Sequence, residues 1–174
     1  MVDFGNISYL TNGNERQKQA YKVLVKHHIF DILAEFEPVL TGTIPIEIDI
    51  PDSDLDICCY WKNSEEFYNL LKKSFSEHKD FFLSETLVNG QKTIIANFKV
   101  DGFEMEIFGQ NIPTKKQNAF KHMLIEHKIL LEKGEEFRRS IVELKLKGYK
   151  TEPAFAKLLG LKGNAYLELL NYKL

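Results

Sequence analysis

Residues 39–59 read VLTGTIPIEIDIPDSDLDICC, and this stretch decides the fold. Asp54 and Asp56 stand at the head of LDICCYW, a run whose apolar and aromatic content suits a buried strand. Side chains two apart on a strand leave the same face, so both carboxylates point one way while Leu55 and Ile57 point the other. At about 3.3 Å per residue they lie roughly 7 Å apart and repel unless a cation sits between them. Hard oxygen ligands at that spacing favour magnesium or manganese. Upstream, Gly42 and Thr43 follow the apolar pair Val39-Leu40. A strand ending in Gly-Thr lets the backbone approach a phosphate and offers it amide and hydroxyl donors. Two other readings compete. Asp52, Asp54 and Asp56 mimic the first ligands of an EF-hand loop, but Ile57 stands where that loop needs glycine and Asn63 where it needs glutamate. Pro51-Asp52-Ser53-Asp54 is also good turn chemistry in itself, with solvated carboxylates.

Working outward, Asn14-Glu15 opens a helical pattern running to Phe36, with Tyr21, Leu24, Val25, His28, Ile29, Ile32, Leu33 and Phe36 as its apolar stripe. Pro38 stops it and Val39–Thr41 form the first strand. Asn63-Ser64 caps a helix to about Glu77 that buries Phe67, Leu70, Leu71 and Phe75. Asn89-Gly90, between Phe81–Val88 and Lys92–Val100, is the strongest hairpin signal, and Asp101-Gly102 predicts a second turn into Phe103–Phe108. On that last strand Glu104 and Glu106 share a face, and Gly109 is read as ending it. Pro113-Thr114 then opens a long helix to about Lys133, closed by Gly134, and short helices broken at Gly148, Gly160 and Gly163 complete the chain.

The fold class predicted is α+β, a mixed sheet packed by helices: an α/β core over residues 1–113 and a C-terminal helical region over 114–174 packed on it. The 174 residues suit one compact unit. No apolar run reaches the roughly 18 residues of a membrane span, and the N-terminus lacks a signal peptide's basic and apolar regions, so a cytoplasmic protein is expected. Cys58 and Cys59 are adjacent in the core strand, which excludes a disulfide framework and a zinc-ligand spacing. The net charge of −2 hides an asymmetry: residues 1–114 carry 10 Lys/Arg against 18 Asp/Glu, and 115–174 carry 13 against 7. An acidic half attracts divalent metal and a basic half could face phosphates, although solvated helix faces also account for the spread of lysines. The aromatic and lysine residues of the C-terminal region form no nucleic-acid-binding motif.

The pattern of strand, Gly-Thr, short loop and Ser53-Asp54-Leu55-Asp56 resembles that of the polymerase-beta-like nucleotidyltransferase superfamily. TGTIPIEIDIPDSDLDI (41–57), FEMEIFGQ (103–110) and QNAFKHMLIEH (117–127) resemble, more closely, a small bacterial domain-of-unknown-function family assigned to that superfamily. The resemblance implies that Asp54, Asp56 and Glu106 hold Mg²⁺ or Mn²⁺, with Glu104 as the alternative third carboxylate. It also implies that Gly42, Thr43 and Ser53 grip the triphosphate of an NTP, whose nucleotidyl group passes to an acceptor hydroxyl of unassigned identity. Gln117, Lys121 and His122, early in the helix that follows the carboxylate-bearing strand, are expected within reach of the cleft. Two departures from the family pattern stand out: Ile44-Pro45-Ile46 is apolar where members carry a polar or basic residue, and Glu47 replaces a second glycine, with its charge near the expected triphosphate. A nucleotide- or metal-binding module without turnover, and a partner-binding protein using the two charged halves, are the competing functional readings. The oligomeric state is not legible.

Overall fold

The computed structural model describes residues 2–173. Its centre is a five-stranded mixed sheet of β1 (Val39–Thr41), β2 (Leu55–Tyr60), β3 (Lys79–Val88), β4 (Gln91–Val100) and β5 (Phe103–Gln110), in the spatial order β1-β2-β5-β4-β3. Only β2 and β5 run parallel; the other three pairs are antiparallel. The two hairpin turns follow from backbone chemistry. Asn89-Gly90 and Asp101-Gly102 hold positive φ at both central positions, which is the twist a tight hairpin requires.

Alternation along the strands gives the sheet two different faces. Leu40, Leu55, Ile57, Cys59, Met105, Ile107, Ala96 and Phe98 enter one core beneath α1 (Glu15–Lys26) and α3 (Ser64–Phe75), where they meet Ala20, Leu24, Phe67, Leu71 and Phe75. Val39, on the opposite face, joins a second cluster formed with α4 (Asn118–Leu146), α5 (Thr151–Leu159) and α6 (Ala165–Leu170), through Met123, Ile129, Ile141, Phe155 and Leu169. Mixed sheet and helical cover are as the sequence predicts. Among the described residues no helix is long and apolar enough to cross a membrane.

Three elements differ from the sequence reading. The first helical pattern is not continuous: α1 ends at Lys26, His28 takes a left-handed φ of 53°, and the four-residue α2 (Ile29–Ile32) restarts the path. Leu24, Ile29 and Leu33 of the expected stripe reach the core, with Tyr21, Ile32 and Phe36 packed against it, but Val25 and His28 turn out to solvent at the break. Strand β5 does not stop at Gly109 but runs to Gln110. Gly109 is needed for packing, since a Cβ there would lie 2.1 Å from Cε1 of the buried Phe67. Finally, the helical path continues past Gly134, which interrupts α4 with a non-helical φ of 79° and ψ of −172°. Residues on its far side pack back onto the loop after β1.

Candidate active site

The loop from Gly42 to Asp54 looks, from its composition, like an apolar departure from a phosphate-binding turn. Its side chains Ile44, Pro45, Ile46 and Ile48 are buried, and its carbonyls are gathered by four long polar side chains from two helices. From α1, the Gln17 amide donates to the Ile44 and Pro45 carbonyls at 2.9 and 3.2 Å. Arg16, stacked 3.9 Å above the Phe103 ring, lies 3.5 and 3.4 Å from the carbonyls of Pro51 and Ser53. From α4, Arg138 donates to the Ile46 carbonyl and Lys145 donates to that of Ile48 at 2.7 Å. Part of the basic half is thereby spent on backbone. Such buried carbonyls need donors, and charged donors make the stronger bonds. Within the loop, the Ser53 hydroxyl accepts from the Ile50 amide at 2.9 Å and from the Thr43 hydroxyl at 3.2 Å.

This fixed loop lies beside the strand carboxylates. Asp56 on β2 is in register with Thr41 on β1 and with Glu106 on β5, so these three residues sit side by side on one face at the strand spacing of about 4.8 Å. Gly42 follows directly, with φ of 77°, and its backbone comes so near Asp56 that a Cβ would stand 2.0 Å from the Asp56 carboxylate. Only glycine fits that contact. Asp54 precedes β2, and Asp54, Asp56, Glu106, Gly42, Thr43 and Ser53 all line one cleft of about 550 Å³. Asn97 on β4 donates to Glu106 at 3.2 Å, while among the described residues none of Asp54, Asp56 and Glu106 is ion-paired. Burial, followed by the charges of Asp54 and Glu106, pushes the Asp56 carboxyl up to about 8. The donor set fits a hard divalent cation: carboxylate oxygens only, on or beside rigid strands, without an ion pair among the described residues and with only the Lys145 ammonium offsetting part of their repulsion.

The remaining sequence candidates separate. Glu104 shares its strand face with Glu106 but lies outside this cleft, ion-paired with Lys99 at 3.1 Å at the sheet surface. Gln117 is buried and turned away: its amide donates to the Cys59 carbonyl at 2.7 Å and to that of Ile112 at 2.9 Å, anchoring the start of α4 to β2. Lys121 is exposed on the outer side of α4 and does not line the cleft. His122 does line it, together with Glu126 one helical turn later, Lys145, and Glu152 in the first turn of α5. Glu47 is exposed, outside the cleft lining, at a left-handed φ of 61°. Its charge therefore does not face the carboxylate cleft.

Glu126, Lys145 and Glu152 were not among the sequence candidates. Burial pushes the Glu126 carboxyl up to about 8, with Glu152 adding to the effect, and burial pushes the Lys145 ammonium down to about 8 against the pull of Asp49 and Glu126. His122 is held below its ordinary range by burial. A signal for Glu126 exists in the sequence: it falls four residues after His122, on the helix face that also carries Met123, Ile129 and Leu130.

The family described as Domain of unknown function (DUF4269) matches residues 22–172. No curated protein sequence matches. Among solved structures, the Cid1 poly(U) polymerase with MgGTP bound is similar with a TM-score of 0.56 at 12% identity, over 80% of this chain and 46% of that one. The GLD-2/RNP-8 complex is similar at 0.55 and 13% identity, over 88% and 61%. The polymerase core of TRAMP, an RNA surveillance complex, is similar at 0.54 and 12%, over 94% and 50%. The chain thus spans about half the length of these structures, and at such identities the likeness is one of fold alone.

Proposed function

The chain belongs to the family described as Domain of unknown function (DUF4269), and we propose that it is a metal-dependent nucleotidyltransferase of the cytoplasm, transferring a nucleoside monophosphate from an NTP to an acceptor hydroxyl. The observation that carries this reading is the contact between Gly42 and Asp56. It joins the glycine turn and the paired carboxylates of β2 and β5 into a single assembly lining one cleft.

In this proposal Asp54, Asp56 and Glu106 hold Mg²⁺ or Mn²⁺. When bound, such an ion neutralises phosphate charge and lowers the pKa of a hydroxyl beside it. Gly42 brings a backbone amide up to the β- and γ-phosphates, and Thr43 and Ser53 present hydroxyls to them. The bonds from Arg16, Gln17, Arg138 and Lys145 to the loop carbonyls keep that turn from moving, so positioning is established before substrate arrives. The acceptor oxygen forms a bond to the α-phosphorus, the bond to the bridging oxygen breaks, and pyrophosphate leaves with the electron pair. The acceptor proton passes to a cleft carboxylate or to water. We divide the chain at the cleft, with 1–113 supplying the carboxylates and 114–174 its helical wall.

The test incubates the wild-type protein with each NTP radiolabelled at the α-phosphate, Mg²⁺, and fractionated cell extract as the acceptor source. The proposal expects label from one NTP in an acceptor fraction, and none with the Asp54→Asn/Asp56→Asn double variant. Equal labelling by that folded variant overturns it.

A further inference from the structure

The mechanism above leaves His122, Glu126 and Glu152 without a role, although they line the same cleft. His122 and Glu126 are one turn apart on α4 and share its inward face, while Glu152 arrives from the first turn of α5. One ring nitrogen and one oxygen from each carboxylate all lie within 4.8 Å of one another. His122 is 7% exposed and Glu126 3%, yet Nδ1 of the first and Oε1 of the second have no hydrogen-bond partner among the described residues. No ion pair is made by Glu126 or Glu152 among the described residues, and the nearby Lys145 ammonium donates instead to the Ile48 carbonyl. Burying an unpartnered carboxylate beside an unpartnered imidazole is unfavourable in a folded protein unless something joins them.

We propose that His122, Glu126 and Glu152 form a second divalent-cation site, of the zinc class, on the helical wall of the cleft. The donor set selects the ion. An imidazole with two carboxylates suits zinc and its transition-metal neighbours, whereas magnesium and calcium take oxygen alone. Ligand bonds of about 2.0–2.2 Å bring tetrahedral donor atoms to roughly 3.4 Å from one another. Three protein ligands leave a fourth position open toward the cleft. The ion also ties α5 to α4 on the side facing Asp56, so the wall opposite the strand carboxylates is fixed by metal as the strand side is by sheet pairing. The site uses no strand carboxylate and does not depend on nucleotide transfer.

The test is made in the Asp54→Asn/Asp56→Asn background, where the strand site is disabled. Zinc is titrated calorimetrically with Mg²⁺ in excess, and melting is followed in parallel. The expected result is one equivalent of Zn²⁺ bound with a raised melting temperature. Adding His122→Ala, or separately Glu126→Gln, weakens binding by at least about tenfold and removes the thermal shift. Glu126→Gln keeps the side chain's shape and adds no charge to the buried position, so its metal-free fold, checked by circular dichroism, is retained. Two results overturn the proposal: no zinc binding in the parent background, or zinc binding that both substitutions leave unchanged, which would locate it at another group such as His27, His78 and Asp101.

Discussion

Gly42→Ala isolates the contact on which the proposed site depends, provided that the strain of a left-handed residue is separated from the clash. Gly90 supplies the control. Its φ of 76° matches the 77° of Gly42, but a Cβ at Gly90 meets nothing within 4 Å, whereas one at Gly42 meets Asp56 Oδ2 at 2.0 Å and Cγ at 3.0 Å. An L-residue in the left-handed region costs about 1–2 kcal/mol, so both variants lose that much. At Gly42 the half-buried Asp56 carboxylate must also be displaced, which adds about 1–3 kcal/mol as overpacking does elsewhere. For a chain of this size each kcal/mol is worth about 2–4 °C in melting temperature. Gly42→Ala therefore melts several degrees below Gly90→Ala. Because the displaced group is a proposed metal ligand, its Mn²⁺ affinity, followed by electron paramagnetic resonance, falls about ten- to a hundredfold, while Gly90→Ala binds as the wild type does. Two variants that melt together and bind Mn²⁺ equally would refute the reasoning, because the close approach would then carry no energetic weight.

The two glutamates of β5 should behave oppositely: Glu106→Gln weakens Mn²⁺ binding by more than about tenfold, and Glu104→Ala, which breaks an exposed pair with Lys99, leaves it unchanged. Gln117→Leu removes two donors from the Cys59 and Ile112 carbonyls. Urea denaturation should show a loss of about 1–3 kcal/mol, with Mn²⁺ affinity retained. For Glu126 the sign follows from its raised carboxyl: the stability it contributes is complete below the ordinary value of 4.5 and is lost as pH rises through about 8. In chelator, Glu126→Gln should therefore nearly match the wild type near pH 5 and exceed it at pH 9, by on the order of 4–5 kcal/mol; a difference that shrinks with rising pH contradicts the burial argument.

What was legible in the sequence was local. Asn89-Gly90 and Asp101-Gly102 specify their turns through φ, and Pro38 and Asn63 mark element boundaries by backbone chemistry that needs no tertiary context. The i, i+2 spacing of Asp54 and Asp56 predicts a shared strand face, but Asp54 stands just before β2, and the two line the same cleft from there. The register that sets Glu106, and not Glu104, opposite Asp56 depends on a parallel pairing across an intervening helix and hairpin, which no spacing encodes. His28 breaks the first helix without glycine or proline, and Gly109 sits in a strand because Phe67 leaves no room for a side chain, a matter of packing. The apolar loop after Gly42 was read as a departure from a phosphate turn. Its composition instead reflects burial against α1 and α4, with Gln17, Arg138 and Lys145 supplying donors from far along the chain. Long-range polar partners of this kind leave no periodic signature.

The most direct measurement is calorimetric titration of each NTP into the protein in Mn²⁺ and in chelator, repeated with Asp54→Asn/Asp56→Asn. The account predicts that one NTP binds only when metal is present, and that the double variant, folded by circular dichroism, loses this binding. Nucleotide binding that survives both chelator and the double substitution would contradict it, as would the failure of every NTP to bind the wild-type protein.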